Sequence, residues 1–352
     1  MSTIGRKQSA FSWLARMAVL LLATSLQNSP VSAQIGIKSS PDAWKEIVSL
    51  ARKEGRVLVY SHLSSPVMDR LKEDFAKAYP GITMEVPPLM GSGVMISKLD
   101  QERQAGVDGA DVATVGEIGW ARNGAKNGTL KKPLGPNASA WPPKFMLDGV
   151  VPVFAEEPIG ILYNTSLVKT PIGGYADLLR PEYKKRVAVI GINATTMVAF
   201  WDWLEKTQGP EYLTKLAAQQ PLVATSSIGG TSMVASGEAA MIIASPASQA
   251  QPLIRQGAPM RVVIPKPALA TQSVAVILGW SKRPNAAQVF MDYLLSPRGQ
   301  VVLVGNGDFA SPLPNIEGSL NPEFYSHYDL ARYPAEVVNV YRSKWDAIFK
   351  KK

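Results

Sequence analysis

Two hydrophobic periods take turns along this chain. Short runs of apolar, often β-branched residues alternate with segments whose apolar positions recur every three or four residues, the pattern of buried strands and one-sided helices. Pro41–Glu54 carries Trp44, Ile47, Val48 and Ala51 on one helical face, and 56–60 reads as a first buried strand. Ser65-Pro66 opens the next helix, with serine and proline in their favoured starting order and Val67, Leu71, Phe75 and Ala78 turned inward. Tyr79-Pro80-Gly81 stops it, 82–86 is a second strand, Gly91-Ser92-Gly93 a turn, and 94–105 a helix with Ile96 and Leu99 inward. A third strand over 111–115 ends at Gly116-Glu117.

The pattern resumes further on. Strands are expected over 159–164, 187–192, 240–244 and 260–264, and a helix over 197–208, stopped by Gly209-Pro210. Ser226 to Ser232, with Gly229-Gly230 at its centre, reads as a loop. Alternating strands and helices define an α/β protein whose sheets are mostly parallel and covered by flanking helices. No internal repeat is visible.

The first thirty-odd residues break this pattern. Arg6, Lys7 and Arg16 precede the apolar run 17–23, and Val31-Ser32-Ala33 supplies small residues before Gln34, which is the layout of a cleavable secretory signal over 1–33. Its apolar core is short for a bilayer span. Cleavage removes three of the positive charges behind the formal +9. The remaining basic residues are dispersed and not interleaved with aromatics, which argues against a nucleic-acid partner. With no cysteine, the chain has neither disulfides nor thiol chemistry. Roughly 320 residues after cleavage exceed one compact core, so two lobes are expected.

Three blocks resemble one family. The stretch Ile159-Gly160-Ile161-Leu162-Tyr163-Asn164, followed by Ala176 to Val189 with Arg180-Pro181 between, resembles the lobe-crossing segment of the type 2 periplasmic receptors of ABC importers, in their ferric-binding-like subset. The block from Pro284 to Gln300 is similar to that family's late helix pair, and Gly237-Glu238 before a small apolar strand is a third match. The resemblance implies a two-lobed α/β receptor with a hinge between lobes, one of them discontinuous in sequence, with the strand over 260–264 carrying the chain back. The expected division is 34–150 with about 265–300 in lobe 1, and about 151–264 with about 301–352 in lobe 2.

In such sheets ligands bind beyond the carboxyl ends of strands. That places Ser61, His62 and Ser64 after the first strand, Ser92 and Gly93 after the second, and Glu117 after the third. The other half contributes Asn193, Thr195 and Thr196, then Thr231 and Ser232, then Ser245. Most are small donors at helix starts, where unsatisfied N–H groups carry a partial positive charge of roughly half a unit and favour an anion. Each is equally a plain helix cap when taken alone. His62 suits a carboxylate or phosphate-like group; His327 reads as surface. Glu156 and Glu157 fall at the expected hinge. Of the tryptophans at 201 and 203, one is expected to pack and one to lie at a rim.

Ferric-binding relatives supply two adjacent tyrosines after the strand that follows Gly-Glu. Here the sequence reads Ser245-Pro246-Ala247-Ser248-Gln249, without a tyrosine, although His62 and Glu117 lie near the other implied ligand positions. No resident metal or other cofactor is expected. The leading expectation is a monomeric, exported, non-enzymatic receptor that holds a small organic carboxylate, phosphonate or phosphorylated solute between its lobes, closes by hinge bending and delivers it to an ABC permease. A ferric or ferric-chelate receptor, a sensing partner of a membrane receptor and a periplasmic hydrolase stay open. The hydrolase lacks a Gly-x-Ser-x-Gly turn and a third catalytic member beside His62 and a serine.

Overall fold

The computed structural model describes residues 41–88, 92–305, 307–321, 325–327 and 329–350. The expected signal over 1–33 lies outside them. Among the described residues no helix is long and apolar enough to cross a membrane.

The chain opens with α1 (Pro41–Glu54), β1 (Arg56–Ser61), α2 (Ser65–Ala78), β2 (Thr83–Glu85), α3 (Ser92–Ala105), β3 (Val112–Val115) and α4 (Ile118–Lys126). β1 pairs in parallel with β2 on one side and β3 on the other. The helices form where the apolar spacing predicts, with Val67, Leu71 and Phe75 of α2 buried. In α3 the inward residues are Met95 and Leu99, while Ile96 is only half-buried, a shift of one position in the inward stripe. After β4 (Leu130–Lys131), α5 (Pro136–Ala140) and β5 (Met146–Leu147) comes the long strand β6 (Val151–Asn164).

A second α/β unit follows: β7 (Val187–Ile190), α6 (Thr195–Gln208), α7 (Tyr212–Ala218), β8 (Leu222–Ala224), α8 (Ser227–Ser236), β9 (Met241–Pro246), α9 (Ala247–Arg255) and β10 (Met260–Val263). β7 pairs in parallel with β8 and β9. The expected loop over 226–232 is instead the start of α8. Ser226 caps it by accepting the Gly229 N–H at 3.1 Å. Glycine there serves packing rather than a turn, because a Cβ on Gly230 would lie 2.1 Å from Cδ1 of Ile242. The chain ends with β11 (Ala268–Leu278), α10 (Pro284–Leu294), α11 (Pro297–Val304), β12 (Tyr325–His327) and α12 (Ala335–Phe349).

Two hydrophobic cores share one strand path, β2-β1-β3-β11-β6-β9-β7-β8. The first gathers Val57, Val59, Leu71, Phe75, Val112, Phe154, Val276 and Phe290; the second gathers Ile161, Val187, Val189, Phe200, Trp201, Ile242 and Trp345. α11 and Phe309 pack in the first core, and Val338 and Trp345 of α12 pack in the second. α10 closes the first core against α2, where Phe75 meets Phe290 edge-on at 5.5 Å.

β6 and its partners join the cores. β10 pairs antiparallel with residues 161–164 of β6, and β11 with residues 153–158 along the same edge, so the return run is a two-part strand of which 260–264 is only the first part. At the crossing a Cβ on Gly160 would sit 2.7 Å from the Val263 carbonyl oxygen and 2.8 Å from Cδ1 of Ile264. Backbone cannot yield as a side-chain tip can. Gly160→Ala is therefore expected to cost about 1–3 kcal/mol, read as a fall of several degrees in the melting temperature by calorimetry.

Candidate functional site

Strand register places the site. The carboxyl end of β3 meets the ribbon at Val115 opposite Val274, and that of β9 meets it at Pro246 opposite Ile159. The ribbon itself pairs Ser273 with Ala155 and Ala270 with Pro158. Strand ends from both cores thus converge on one short stretch of the β6–β11 ribbon, approaching from opposite sides. Helix starts follow those ends: α2 and α4 in the first core, α6 and α9 in the second.

Side chains directly opposite in an antiparallel pair share a face, and alternate residues share it too. Ala155, Glu157, Thr271 and Ser273 consequently face one way, and Glu156 and Gln272 the other. The first face is the one that His62 meets. Its Nδ1 lies 2.8 Å from the Thr114 carbonyl, which can only accept, so Nδ1 carries the proton and Nε2, 3.0 Å from the Ser273 hydroxyl, accepts from it. Burial holds the imidazole below its ordinary pKa, against the opposing pull of Thr114 and Glu117. The ring is neutral, with both nitrogens engaged by the protein.

Glu117 stands beside it at the start of α4, where its side chain makes no capping bond. Its Oε2 is buried and without a hydrogen-bond partner among the described residues. Glu157, two residues beyond Ala155 on the same face, accepts a 3.3 Å bond from the Ser248 N–H at the start of α9. Part of the residue stays open, yet protein surrounds the carboxyl, and burial raises its pKa to about 7, with the Ser248 bonds opposing and the nearby Asp308 adding to the rise.

The small donors divide into two groups. Ser61 lies inward, its hydroxyl 2.8 Å from that of Thr114 and accepting the Leu63 N–H; Thr231 and Ser245 are buried and bonded to each other at 3.2 Å. Ser232 is exposed on α8 and donates back to the Ile228 carbonyl. These four complete the protein's own bonding. Ser64, by contrast, is exposed at the α2 N-cap and does not use its hydroxyl to cap the helix. Thr195 and Thr196 are half-buried in the first turn of α6, whose N-cap is Ala194 and so offers no capping side chain. Gly93 is exposed with open space around it, and the side chain of Ser92 lies outside the described residues. Asn193 is exposed, its amide 3.5 Å from the Thr225 carbonyl and its own carbonyl held by Arg342 at 2.8 Å.

Charged residues that sequence reasoning passed over also meet here. Asp308 is buried, with Arg70 of α2 at 3.7 Å and Arg255 of α9 at 3.8 Å, one guanidinium from a helix of each core. Burial raises its carboxyl pKa, and Arg255 and Arg70 oppose that rise. Nothing in the local sequence marks these three, because they meet only through tertiary packing. On the opposite face of the ribbon, His327 is exposed as expected, and its Nε2 lies 2.6 Å from the fully buried Glu156, which also accepts from Gln272 at 2.9 Å. Trp201 is buried and donates to the Ile190 carbonyl at 3.2 Å, while Trp203 is half-buried.

Two α/β cores, an antiparallel crossing ribbon and strand ends that converge on it define a two-lobed binding protein of the type 2 periplasmic fold. Residues 70–328 match the family of bacterial extracellular solute-binding proteins, and the chain belongs to that family. No curated protein matches the sequence. Among solved structures, the chain is similar to the substrate-binding protein of an ABC transporter from Agrobacterium tumefaciens, with a TM-score of 0.69 at 17% identity over 86% of this chain and 97% of that one. It is also similar to AfuA from Actinobacillus pleuropneumoniae with fructose-6-phosphate bound (0.58, 19%, 85% and 100%) and to iron-bound HitA from Pseudomonas aeruginosa (0.60, 17%, 84% and 98%). At these identities the likeness is one of fold.

Proposed function

We propose that this protein is the periplasmic solute receptor of an ABC importer, exported by a cleavable signal over 1–33, and that it holds a small anionic solute between its lobes as a monomer and delivers it to the permease. The core residues support a lobe 1 built from 41–158 with about 270–321, and a lobe 2 from 159–269 with about 325–350. The observation that carries the anionic reading is the pair of helix starts, α2 and α6, one from each core, whose Ser64, Thr195 and Thr196 donors are not taken up in capping their own helices. An oxyanion between them would receive N–H and O–H donors from both lobes at once, which binds it more tightly when the lobes close.

Ferric iron is the competing cargo, since one structural neighbour is an iron-bound protein. Ala247 and Ser248 begin α9 at the position where tyrosines would stand, and His62 already spends both ring nitrogens on the protein. Those two facts favour the organic anion. Mild denaturation of the purified, exported protein followed by mass spectrometry of the released solute tests the reading: a carboxylate, phosphonate or phosphate ester is expected, and a neutral solute or iron in stoichiometric amount rejects it.

A further inference from the structure

The second core carries a cavity of about 360 Å³ at the end of its sheet remote from the crossing. It opens between the turn that follows β6 and the start of β10, where Tyr163 and Arg261 are paired. β9 begins opposite the same Tyr163 and reaches Ile159 only at its carboxyl end. Four residues of extended strand, roughly 13 Å, therefore separate the cavity from the strand ends of the candidate site.

Its polar lining has one sign. Tyr163, Thr165, Lys169 and Arg261 supply the polar side chains, and among the described residues no carboxylate lines it. Arg261 is exposed and its guanidinium has no partner among the described residues, while Lys169 has only the Thr165 carbonyl at 3.4 Å. The Thr165 hydroxyl is likewise unbonded among them. Tyr163 is 6% exposed, yet its hydroxyl also lacks a partner there, although a buried tyrosine hydroxyl ordinarily finds one. Because Arg261 stands directly opposite Tyr163 in an antiparallel pair, the two side chains rise from the same face. Two cations and two free hydroxyls thus border one cavity.

The frame around them is held in place by the backbone. The Thr165 N–H donates to the Pro259 carbonyl at 2.7 Å and joins the two sides of the cavity. Asn164 fixes the turn by accepting the Ser166 N–H at 2.8 Å and donating to the Val234 carbonyl at 2.8 Å. Donors positioned beforehand lose little freedom when a ligand arrives.

We propose that this cavity is a second anion site, separate from the one between the lobes, and that it takes the phosphate group of a phosphate ester. A guanidinium forks onto two phosphate oxygens, the lysine adds a point charge, and the two hydroxyls donate to oxygens left over. The volume exceeds what a bare phosphate needs, and Val168, Pro171 and Met260 give the organic part an apolar wall. A soluble ester and a phospholipid headgroup share this chemistry.

Calorimetric titration of glycerol 3-phosphate into the mature Ser64→Asp protein, in which a carboxylate blocks the proposed interlobe anion, tests the inference. One site is expected, and adding Arg261→Gln or Lys169→Gln should weaken it by about tenfold or more. Both residues are exposed and without an acidic partner among the described residues, so the melting temperature should hold. Tyr163→Phe should weaken binding by a smaller factor. No binding, or binding that both glutamine substitutions leave unchanged, overturns the second site without touching the interlobe reading. Co-sedimentation with phosphatidylglycerol vesicles, against phosphatidylcholine vesicles, separates the sources. Retention that Arg261→Gln abolishes upholds the site with a lipid headgroup as its ligand, and ester binding without retention upholds it with a soluble one.

Discussion

Ser64→Asp is expected to weaken binding of an anionic solute by at least a hundredfold while leaving the melting temperature of the unliganded protein unchanged or slightly higher. Aspartate ranks with serine as a helix N-cap and interacts favourably with the positive end of the helix, so α2 loses nothing. The same carboxylate would stand where the proposed anion lies. Ser64 is exposed and its hydroxyl is not used for capping, so the substitution disturbs no bond of the folded chain. A hundredfold loss corresponds to about 2.8 kcal/mol, a modest repulsion for two charges near one another in a partly desolvated cleft. Titration of the variant beside the unaltered protein, with a melting curve of each, checks both halves of the expectation. Unchanged affinity would place the anion elsewhere.

The largest effect on stability is expected from Arg283→Ala. Asp111 is fully buried and accepts from the Leu58 N–H at 2.7 Å, the Ser281 hydroxyl at 2.6 Å and Nε of Arg283 at 2.7 Å. The same guanidinium reaches Asp108 and, at 2.9 Å, the Gly109 carbonyl. One side chain thereby ties β1, the turn before β3 and the start of α10 together. Removing it strands a buried carboxylate, a change that costs about 3–5 kcal/mol and a fall of roughly 10 °C in melting temperature. Arg283→Lys should recover only part of this, because an ammonium cannot fork to three acceptors as the guanidinium does. A thermal melt of the three proteins reads the difference. A full rescue by lysine would show that charge alone, not the fork, holds the joint.

Much of this architecture was legible in the chain. The strand and helix periods over 41–88 and 92–115 carry into the fold with small shifts, because each buried face is written into local spacing. The failures have tertiary causes. Gly229-Gly230 reads as a turn when propensity is considered alone, whereas Gly230 is small because α8 packs against Ile242. The position of Phe309 in the first core, and the return of β10 and β11 along one edge of β6, depend on pairings across a hundred residues that no local pattern encodes.

For the candidate site residues, sequence gives the place along the chain and tertiary contacts decide what each side chain bonds to. Ser61 ends β1, Ser245 lies within β9 and Thr231 lies on α8 where a loop was expected, and their hydroxyls complete bonds inside the protein. His62 holds the expected place, but the Thr114 carbonyl and the Ser273 hydroxyl, 52 and 211 residues away in sequence, decide its charge and tautomer. Glu157, Asp308, Arg70 and Arg255 gain their meaning only from convergence. A sequence lists donors and acceptors; the register of the ribbon decides which of them face one another.

The central claim is that donors from two lobes meet on a small anion and not on iron. Thermal melting of the mature, ligand-stripped protein with short phosphonates, phosphate monoesters and carboxylates, and separately with ferric iron, tests it most directly. Stabilisation that grows with the concentration of at least one of the organic anions, and none by ferric iron, is the predicted result. Stabilisation by ferric iron alone, with a visible charge-transfer band, would contradict the account.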